Sequence, residues 1–127
     1  MVRQIALDTN VAIALLNNDK KVIERLNKFD SICLPVTVCG ELIFGAKNSG
    51  LSEKNENKYL AFIESCELLD INMLVAEKYA EVRLQLKKAG TPIPENDIRI
   101  AATCLVNSIS IFTLDKHFKY ITDVTVL

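Results

Sequence analysis

The chain is poor in the residues that build the common zinc sites of proteins. Only one of its 127 residues, His117, is a histidine. Its four cysteines never occur as a C-x-x-C pair, and all of them lie in or beside apolar segments. Small buried thiols of a reducing compartment explain these cysteines better than disulfides or metal ligands do. The composition therefore argues against a zinc site rich in His and Cys.

Long apolar runs, sequence repeats and a basic charge excess are absent as well. The longest apolar stretches are far too short to span a bilayer, and the N-terminus does not have the layout of a signal peptide. We therefore expect a cytoplasmic protein that does not enter a membrane. The net charge is −1, whereas a protein that binds nucleic acid by charge alone is basic. Any nucleic-acid role must then depend on a local patch, a metal ion or a partner protein.

Half of the residues are apolar, which is enough for a hydrophobic core in a single domain spanning residues 1–127. Short apolar runs predict strands at residues 3–7, 31–34, 67–71, 108–113 and 124–127. Helical spacing predicts helices at residues 11–16, 20–27, 38–47, 58–65, 75–89 and from about 98, with 48–57 mostly loop. Thr37 is the expected N-cap of the third helix and Gly90 the C-cap of the fifth. This alternation predicts an α/β fold whose parallel sheet is covered on both faces.

Four acidic residues lie at the ends of apolar runs: Asp8, Glu41, Asp97 and Asp115, in LDTN, CGEL, NDIRIAA and TLDKHF. Asp8 and Asp115 follow predicted strands, whereas Glu41 and Asp97 are expected in the first turns of helices. Ligands of parallel sheets bind at the carboxyl ends of strands, so all four side chains can project to one edge. Carboxylates about 5 Å apart repel by roughly 3 kcal/mol at an effective dielectric constant near 20. A cluster of them requires a counter-charge, and Mg²⁺ or Mn²⁺ suits an all-oxygen site for phosphate chemistry.

Taken one at a time, three of the four carboxylates have ordinary structural explanations. Asp8 can cap the helix that follows it, and Asp97 suits the first turn of a helix. Asp115 can be a turn residue after a strand. Glu41 is harder to explain in this way because apolar residues surround it. The predicted metal site therefore depends on the four residues together, and it requires that they converge.

The ordered motifs LDTN, GE, NDIRIAA and TLDKHF resemble the PIN-domain family, and most closely its VapC-type toxin ribonucleases. LDTN alone is a weak signal, whereas the four motifs in order are specific and cover essentially the whole chain. The resemblance implies a three-layer α/β/α fold with a mainly parallel sheet of about five strands. It also implies an Mg²⁺- or Mn²⁺-dependent endoribonuclease that acts on structured RNA, a small antitoxin that holds it inactive, and a homodimer.

By the same resemblance, the four carboxylates match the acidic metal-site positions of the family. Asp8 and Asp97 would be direct ligands of the metal. Glu41 would bind the metal or orient the attacking water, and Asp115 would bind the metal directly or through water. Three residues match small polar positions that support the site: Thr9, Asn10 and Thr113.

Basic residues near the motifs are candidates for contacts with RNA phosphates: Arg99, Lys116 and Lys119. Arg99 departs from the apolar or aromatic residue that is usual there in the family. The alternative for all three is an ordinary solvated basic surface. His117 is not required as a catalytic base, because the metal already supplies an activated water.

Two other functions fit parts of the sequence. A receiver-like phosphoryl-signalling domain has a similar length and order of elements, but it needs an acidic pair after the first strand and an aspartate after the third. Here Asp8 is followed by Thr9, and the third predicted strand runs into Asn72. A PIN-like module that only binds RNA or protein would tend to lose acidic residues, whereas this chain keeps all four.

Overall fold

Strands and helices alternate along residues 2–127, the part of the chain that the computed structural model describes. The strands are β1 (Gln4–Leu7), β2 (Ser31–Pro35), β3 (Glu67–Leu69) and β4 (Ile111–Phe112). The helices are α1 (Thr9–Leu16), α2 (Lys20–Leu26), α3 (Val36–Lys47), α4 (Ser52–Glu64), α5 (Met73–Ala89), α6 (Glu95–Val106) and the 3-10 helix η1 (Lys116–Tyr120). None of the helices in residues 2–127 combines the length and the hydropathy that crossing a bilayer requires.

Within residues 2–127, four strands form one parallel sheet in the order β3-β2-β1-β4. The inner strand β1 pairs with β2 on one side and with β4 on the other. Its residues Ile5, Ala6 and Leu7 are completely buried although their side chains alternate between the two faces. Both faces of the sheet are therefore covered by helices, which confirms the predicted α/β class and the parallel sheet.

In the described residues, 2–127, the sheet has four strands rather than about five, because residues 124–127 form no full strand. Val126 makes an isolated parallel bridge to Ile111, and the amide of Leu127 donates to the Ile111 carbonyl at 2.8 Å. β4 is also shorter than the predicted 108–113, since Ser108 has a φ of 53°, which an extended strand does not accommodate. The chain leaves β4 after two residues and turns at once into the loop that carries Asp115.

The start of α3 differs from the prediction that Thr37 caps it. The N-cap residue is Pro35, which provides no side-chain hydrogen bond. Because the proline ring fixes φ, here at −56°, strand β2 passes directly into the helix at Val36. Glu41 consequently lies in the second turn of α3 and not in the first.

Helix α4 covers residues 52–57, which the sequence predicts to be loop. No residue of α4 is buried, so its polar N-terminal half has no apolar periodicity that would indicate a helix. Glu53 in the first turn suits the helix dipole. An ion pair of 2.6 Å between Lys47 and Glu56 joins the helix to α3, against which it packs. Tertiary contacts thus hold a helix that its sequence alone does not specify.

Helix α5 confirms the helix predicted over residues 75–89, with two further residues at its start, and the predicted C-cap. Val75, Val82 and Leu86 are buried, and Gly90 adopts the left-handed conformation, with φ of 70°, that ends many helices. This stripe packs along α6. The packing fixes the position of the α6 N-terminus, where Asp97 lies.

Candidate metal centre

The inner strand β1 is also the point at which the connections of the sheet change direction. The chain passes from β1 to β2 on one side, whereas β4 joins β1 on the other side. Parallel α/β sheets open a crevice at the carboxyl ends of their strands at such a point. Leu7 pairs in register with Phe112, so the next residues, Asp8 and Thr113, are neighbours at the mouth of this crevice.

Asp8 both caps α1 and belongs to the cluster of carboxylates. Its Oδ1 accepts a hydrogen bond from the Val11 amide at 3.1 Å, and its Oδ2 accepts one from the Thr113 hydroxyl. The Thr113 hydroxyl in turn accepts from the Asp115 amide at 2.9 Å. Only 5% of Asp8 is exposed. The capping explanation is therefore correct for one oxygen, while the second is held by the loop after β4.

The environment of Asp8 disfavours its charge. Burial raises the pKa of its carboxyl above the ordinary value, and the charges of Asp115 and Glu41 raise the pKa further. The hydrogen bonds from Thr113 and Val11 oppose this shift without cancelling it. A buried carboxylate that neighbouring carboxylates destabilise gains from a nearby cation.

Glu41 faces the same crevice from α3. The Thr9 hydroxyl donates to its Oε1 at 2.6 Å, which links the first turn of α1 to the second turn of α3. The Glu41 side chain is partly exposed beside an open groove, and Phe44, one turn further along α3, is 69% exposed. The groove is lined by Thr9, Thr37, Gly40, Glu41, Phe44 and Asn96. It leaves room for a ligand next to the Glu41 carboxylate.

Asp97 and Asp115 meet around the imidazole of His117. The Nδ1 atom of His117 lies 2.9 Å from Oδ2 of Asp97 and 2.9 Å from Oδ1 of Asp115. The backbone amide of His117 also donates to Asp115 Oδ1 at 2.8 Å, so Asp115 caps η1 as well. One ligand atom from each of the three residues lies within 4.8 Å of the others. Helix α6 and the loop after β4 thus bring together two carboxylates and a ring nitrogen.

The charges of the four carboxylates act on one another across the crevice. Burial raises the pKa of Asp97, the hydrogen bond with His117 opposes that shift, and the charges of Asp115 and Glu41 raise the pKa further. The pKa of His117 is raised, first by its hydrogen bond with Asp97 and then by the charge of Asp115. Asp8 and Asp97 therefore both lie within the electrostatic reach of Asp115 and Glu41.

These donors fit a hard divalent cation. Carboxylate oxygens are the preferred ligands of Mg²⁺ and Mn²⁺, and a cation at this edge would offset the burial and the repulsion that raise the pKa values of Asp8 and Asp97. In the described part of the chain, residues 2–127, the tightest group of ligand atoms comprises Asp97, Asp115 and His117. Asp8 and Glu41 lie outside that group and act on it electrostatically from the N-cap of α1 and the second turn of α3.

The predicted supporting residues occupy different environments. Thr9 and Thr113 donate to Glu41 and Asp8, as described above. Asn10 is exposed in the first turn of α1, and within residues 2–127 its side chain makes no hydrogen bond.

Arg99 is engaged away from the carboxylates. Its guanidinium lies 3.1 Å from a Glu95 oxygen and 5.4 Å from the centre of the Tyr79 ring. Lys116 and Lys119 are exposed on η1, where the Lys119 ammonium lies 5.2 Å from the Tyr120 ring centre. None of the three cations contacts one of the site's carboxylates in residues 2–127.

The sequence raises His117 only as a catalytic base, and its place in this cluster was not predicted. The only signal for it is its position two residues after Asp115 in TLDKHF. Contact with Asp97, 20 residues earlier in the chain, depends on how η1 packs against α6.

Comparison with known proteins agrees with the fold. The PIN domain family matches residues 5–124, and the chain belongs to that family. Ribonuclease VapC1 of Haemophilus influenzae (strain R2866) is 34% identical over 122 residues, which cover 92% of this chain and 91% of the relative. The tRNA(fMet)-specific endonuclease VapC of Salmonella typhimurium is 35% identical over 97 residues, which cover 75% of this chain and 74% of the relative.

A solved structure extends the similarity to the whole chain. The DNA-bound VapBC structure from Salmonella typhimurium has a TM-score of 0.91 at 28% identity, with 100% of this chain and 98% of that chain covered. The relatives of this chain are thus VapC-type ribonucleases, and the resemblance found in its motifs is confirmed.

Proposed function

We propose that this chain is a divalent-metal-dependent endoribonuclease, the toxin of a toxin–antitoxin pair, which hydrolyses phosphodiester bonds in structured RNA. The observation that carries the proposal is the arrangement of Asp8, Glu41, Asp97 and Asp115 around one crevice, where their charges disfavour one another. The names of the relatives, ribonuclease and endonuclease, support the reaction class.

Asp97 and Asp115 would hold the ion, and Asp8 would join them as a ligand from the end of β1. Mg²⁺ or Mn²⁺ suits these oxygens. Such an ion, when bound, supplies positive charge for the scissile phosphate and lowers the pKa of a bound water. The chain contributes a buried, hydrogen-bonded frame: Thr113 and Val11 hold the Asp8 carboxylate in one orientation. Such fixed orientation reduces the reorganisation that binding requires.

Glu41 would orient the attacking water. Thr9 occupies its Oε1, which leaves Oε2 to accept a hydrogen bond from a water in the adjoining groove. In the hydrolysis the water oxygen bonds to phosphorus while the bond from phosphorus to the leaving oxygen breaks. The proton lost by the water passes to a carboxylate of the site, and the leaving oxygen takes up a proton from solvent.

The RNA and protein partners follow from the surroundings of the site and from the relatives. Lys116 and Lys119 are exposed on η1, the element that carries His117, and would contact phosphates of the RNA, together with Arg99 if it exchanges Glu95 for a phosphate. The VapBC complex supports an antitoxin partner. We further propose that the chain forms a homodimer, and that transfer RNA is the first substrate class to test because one relative is a tRNA(fMet)-specific endonuclease.

The proposal is tested with purified protein free of antitoxin and with total RNA. We expect cleavage with Mg²⁺ or Mn²⁺, no cleavage with EDTA, and strong loss of cleavage in Asp97→Asn. Asp123→Asn is the matched control, because Asp123 is exposed at the other end of the sheet and its φ of 70° is tolerated by asparagine. Cleavage by Asp97→Asn at the rate of the control, or cleavage unaffected by EDTA, would contradict the proposal.

A further inference from the structure

His117 is the single histidine of the chain, and it lies inside the carboxylate cluster. Its Nδ1 is 2.9 Å from Asp97 Oδ2 and 2.9 Å from Asp115 Oδ1. The metal-site positions that the family resemblance implies are all acidic, and none of the metal ligands proposed so far is a nitrogen atom. The position of this ring therefore needs its own explanation.

The spacing of these three atoms suits ligands of one ion as well as it suits hydrogen bonds. In an octahedral shell with bonds of about 2.1 Å, neighbouring ligand atoms lie roughly 3 Å apart. The two distances from His117 Nδ1 agree with that spacing. A neutral imidazole with its proton on Nε2 presents a lone pair at Nδ1, in the direction of the two carboxylates.

The local structure holds the ring at this position. The His117 amide donates to Asp115 Oδ1 at 2.8 Å, and the next residue, Phe118, is 1% exposed in the core. The His117 side chain itself is 43% exposed, so Nε2 can keep its proton and donate it to water. Histidine ligands of metals generally donate their second nitrogen in this way.

We propose that His117 Nδ1 is a nitrogen ligand of the divalent ion, beside Asp97 and Asp115, and that it shifts the preference of the site from Mg²⁺ toward Mn²⁺. The proposal rests on the metal centre of the proposed function and adds one ligand to it. Mg²⁺ favours oxygen ligands, whereas first-row transition ions accept imidazole readily, so a mixed set discriminates between them.

The simpler alternative is that His117 is only a counter-charge, which the ion displaces. The two cases predict opposite effects of His117→Asn on Mn²⁺ binding. If the ring is a counter-charge, its removal frees the carboxylates and Mn²⁺ binds more tightly. If the ring is a ligand, its removal weakens Mn²⁺ binding roughly tenfold or more, while Mg²⁺ binding changes by less than about threefold.

The direct test is electron spin-echo spectroscopy of Mn²⁺ bound to the untagged full chain. We expect the nuclear modulation of a directly coordinated ¹⁴N, its replacement by a ¹⁵N pattern when histidine alone is ¹⁵N-labelled, and its loss in His117→Asn. The assignment is unambiguous because the chain has one histidine. The isotope comparison uses the unaltered sequence, so it does not depend on the folding of a variant.

The outcomes separate this inference from the proposed function. Bound Mn²⁺ without nitrogen modulation, or tighter Mn²⁺ binding by His117→Asn, would overturn the nitrogen ligand and leave the carboxylate centre in place. Absence of any Mn²⁺ binding by the wild type would overturn the metal centre and the inference together. Calorimetry with Mn²⁺ and with Mg²⁺ on the same samples measures the change in selectivity.

Discussion

Thr113→Val removes a single hydroxyl that makes two hydrogen bonds in the crevice. The hydroxyl donates to Asp8 Oδ2 and accepts from the Asp115 amide at 2.9 Å. Both Thr113 and Asp8 are buried, at 7% and 5% exposure, so water cannot replace the lost donor without rearrangement. Valine has nearly the shape of threonine, which leaves little cavity cost.

The expected loss of stability can be worked out from these two bonds. A buried hydrogen bond to a charged group contributes about 1.5–3 kcal/mol, and a neutral one about 1 kcal/mol. We therefore expect Thr113→Val to lower the free energy of unfolding by about 2.5–4 kcal/mol at pH 7. For a chain of this length the melting temperature would fall by roughly 10–15 °C.

The pH dependence follows from which form of Asp8 needs the donor. The Thr113 hydrogen bond lowers the pKa of Asp8, so it stabilises the ionised carboxylate. Its contribution is complete at pH well above that pKa and is lost as the pH falls through it. The destabilisation measured at pH 7 should therefore shrink as the pH approaches 4.

Urea unfolding in EDTA measures both effects without a contribution from bound metal. Thr113→Ser is the matched control, because it keeps the hydroxyl and loses one methyl group, at a cost of about 1 kcal/mol. Equal stability of the valine and serine variants at pH 7 would refute the assigned role of the hydroxyl. So would a destabilisation that does not change between pH 7 and pH 4.

Three further results are expected. Asp8→Asn should stabilise the metal-free protein at pH 7, because burial and the neighbouring carboxylates raise the pKa of Asp8 and so make its ionised form costly in the folded state. The gain should vanish as the pH falls through that pKa toward 4. Urea unfolding in EDTA checks this, and a less stable variant would contradict it. Burial raises the pKa of the Cys33 thiol to about 11 and that of the Cys104 thiol to about 12. Neither thiol should therefore react with a thiol reagent at pH 8 until the protein unfolds. Reaction within minutes in native buffer would show that one of them is open to solvent. Gly90→Ala should destabilise the folded protein by about 1 kcal/mol, because φ is 70° at this residue. Gly40→Ala should stabilise the folded protein by up to about 1 kcal/mol, because Gly40 lies in a helix and no atom lies where its Cβ would be. Thermal melts that show the same sign for both variants would be inconsistent with these conformations.

The sequence predicts those parts of the fold whose signal is local. The strand before Asp8 ends in the buried apolar run Ile5–Leu7, and α5 has apolar residues at helical spacing before Gly90, so the local sequence indicates both elements. The prediction of a loop at residues 52–57 is wrong, because α4 buries none of its residues and is held by its contacts with α3. The prediction of a strand at residues 124–127 is also wrong. A strand needs a neighbour of similar length to pair with, and β4 has only two residues.

The site likewise has parts that the local sequence predicts and parts that it does not. Three residues, Asp8, Asp97 and Asp115, have local capping or helix-start roles as well as a place in the cluster, so single-residue reasoning explains them without a metal. Their convergence is a property of the sheet order, which local periodicity does not contain. The contact of His117 with Asp97 is harder still to predict from the sequence, because it depends on how η1 packs on α6.

The most direct test of the metal centre is calorimetric titration of Mn²⁺ into the wild type, Asp8→Asn and Asp123→Asn. We expect saturable binding by the wild type and by Asp123→Asn, and a loss of affinity of roughly a hundredfold in Asp8→Asn, whose buried oxygen is held beside the crevice by Thr113. No binding by the wild type, or equal binding by Asp8→Asn, would contradict a metal centre at these carboxylates.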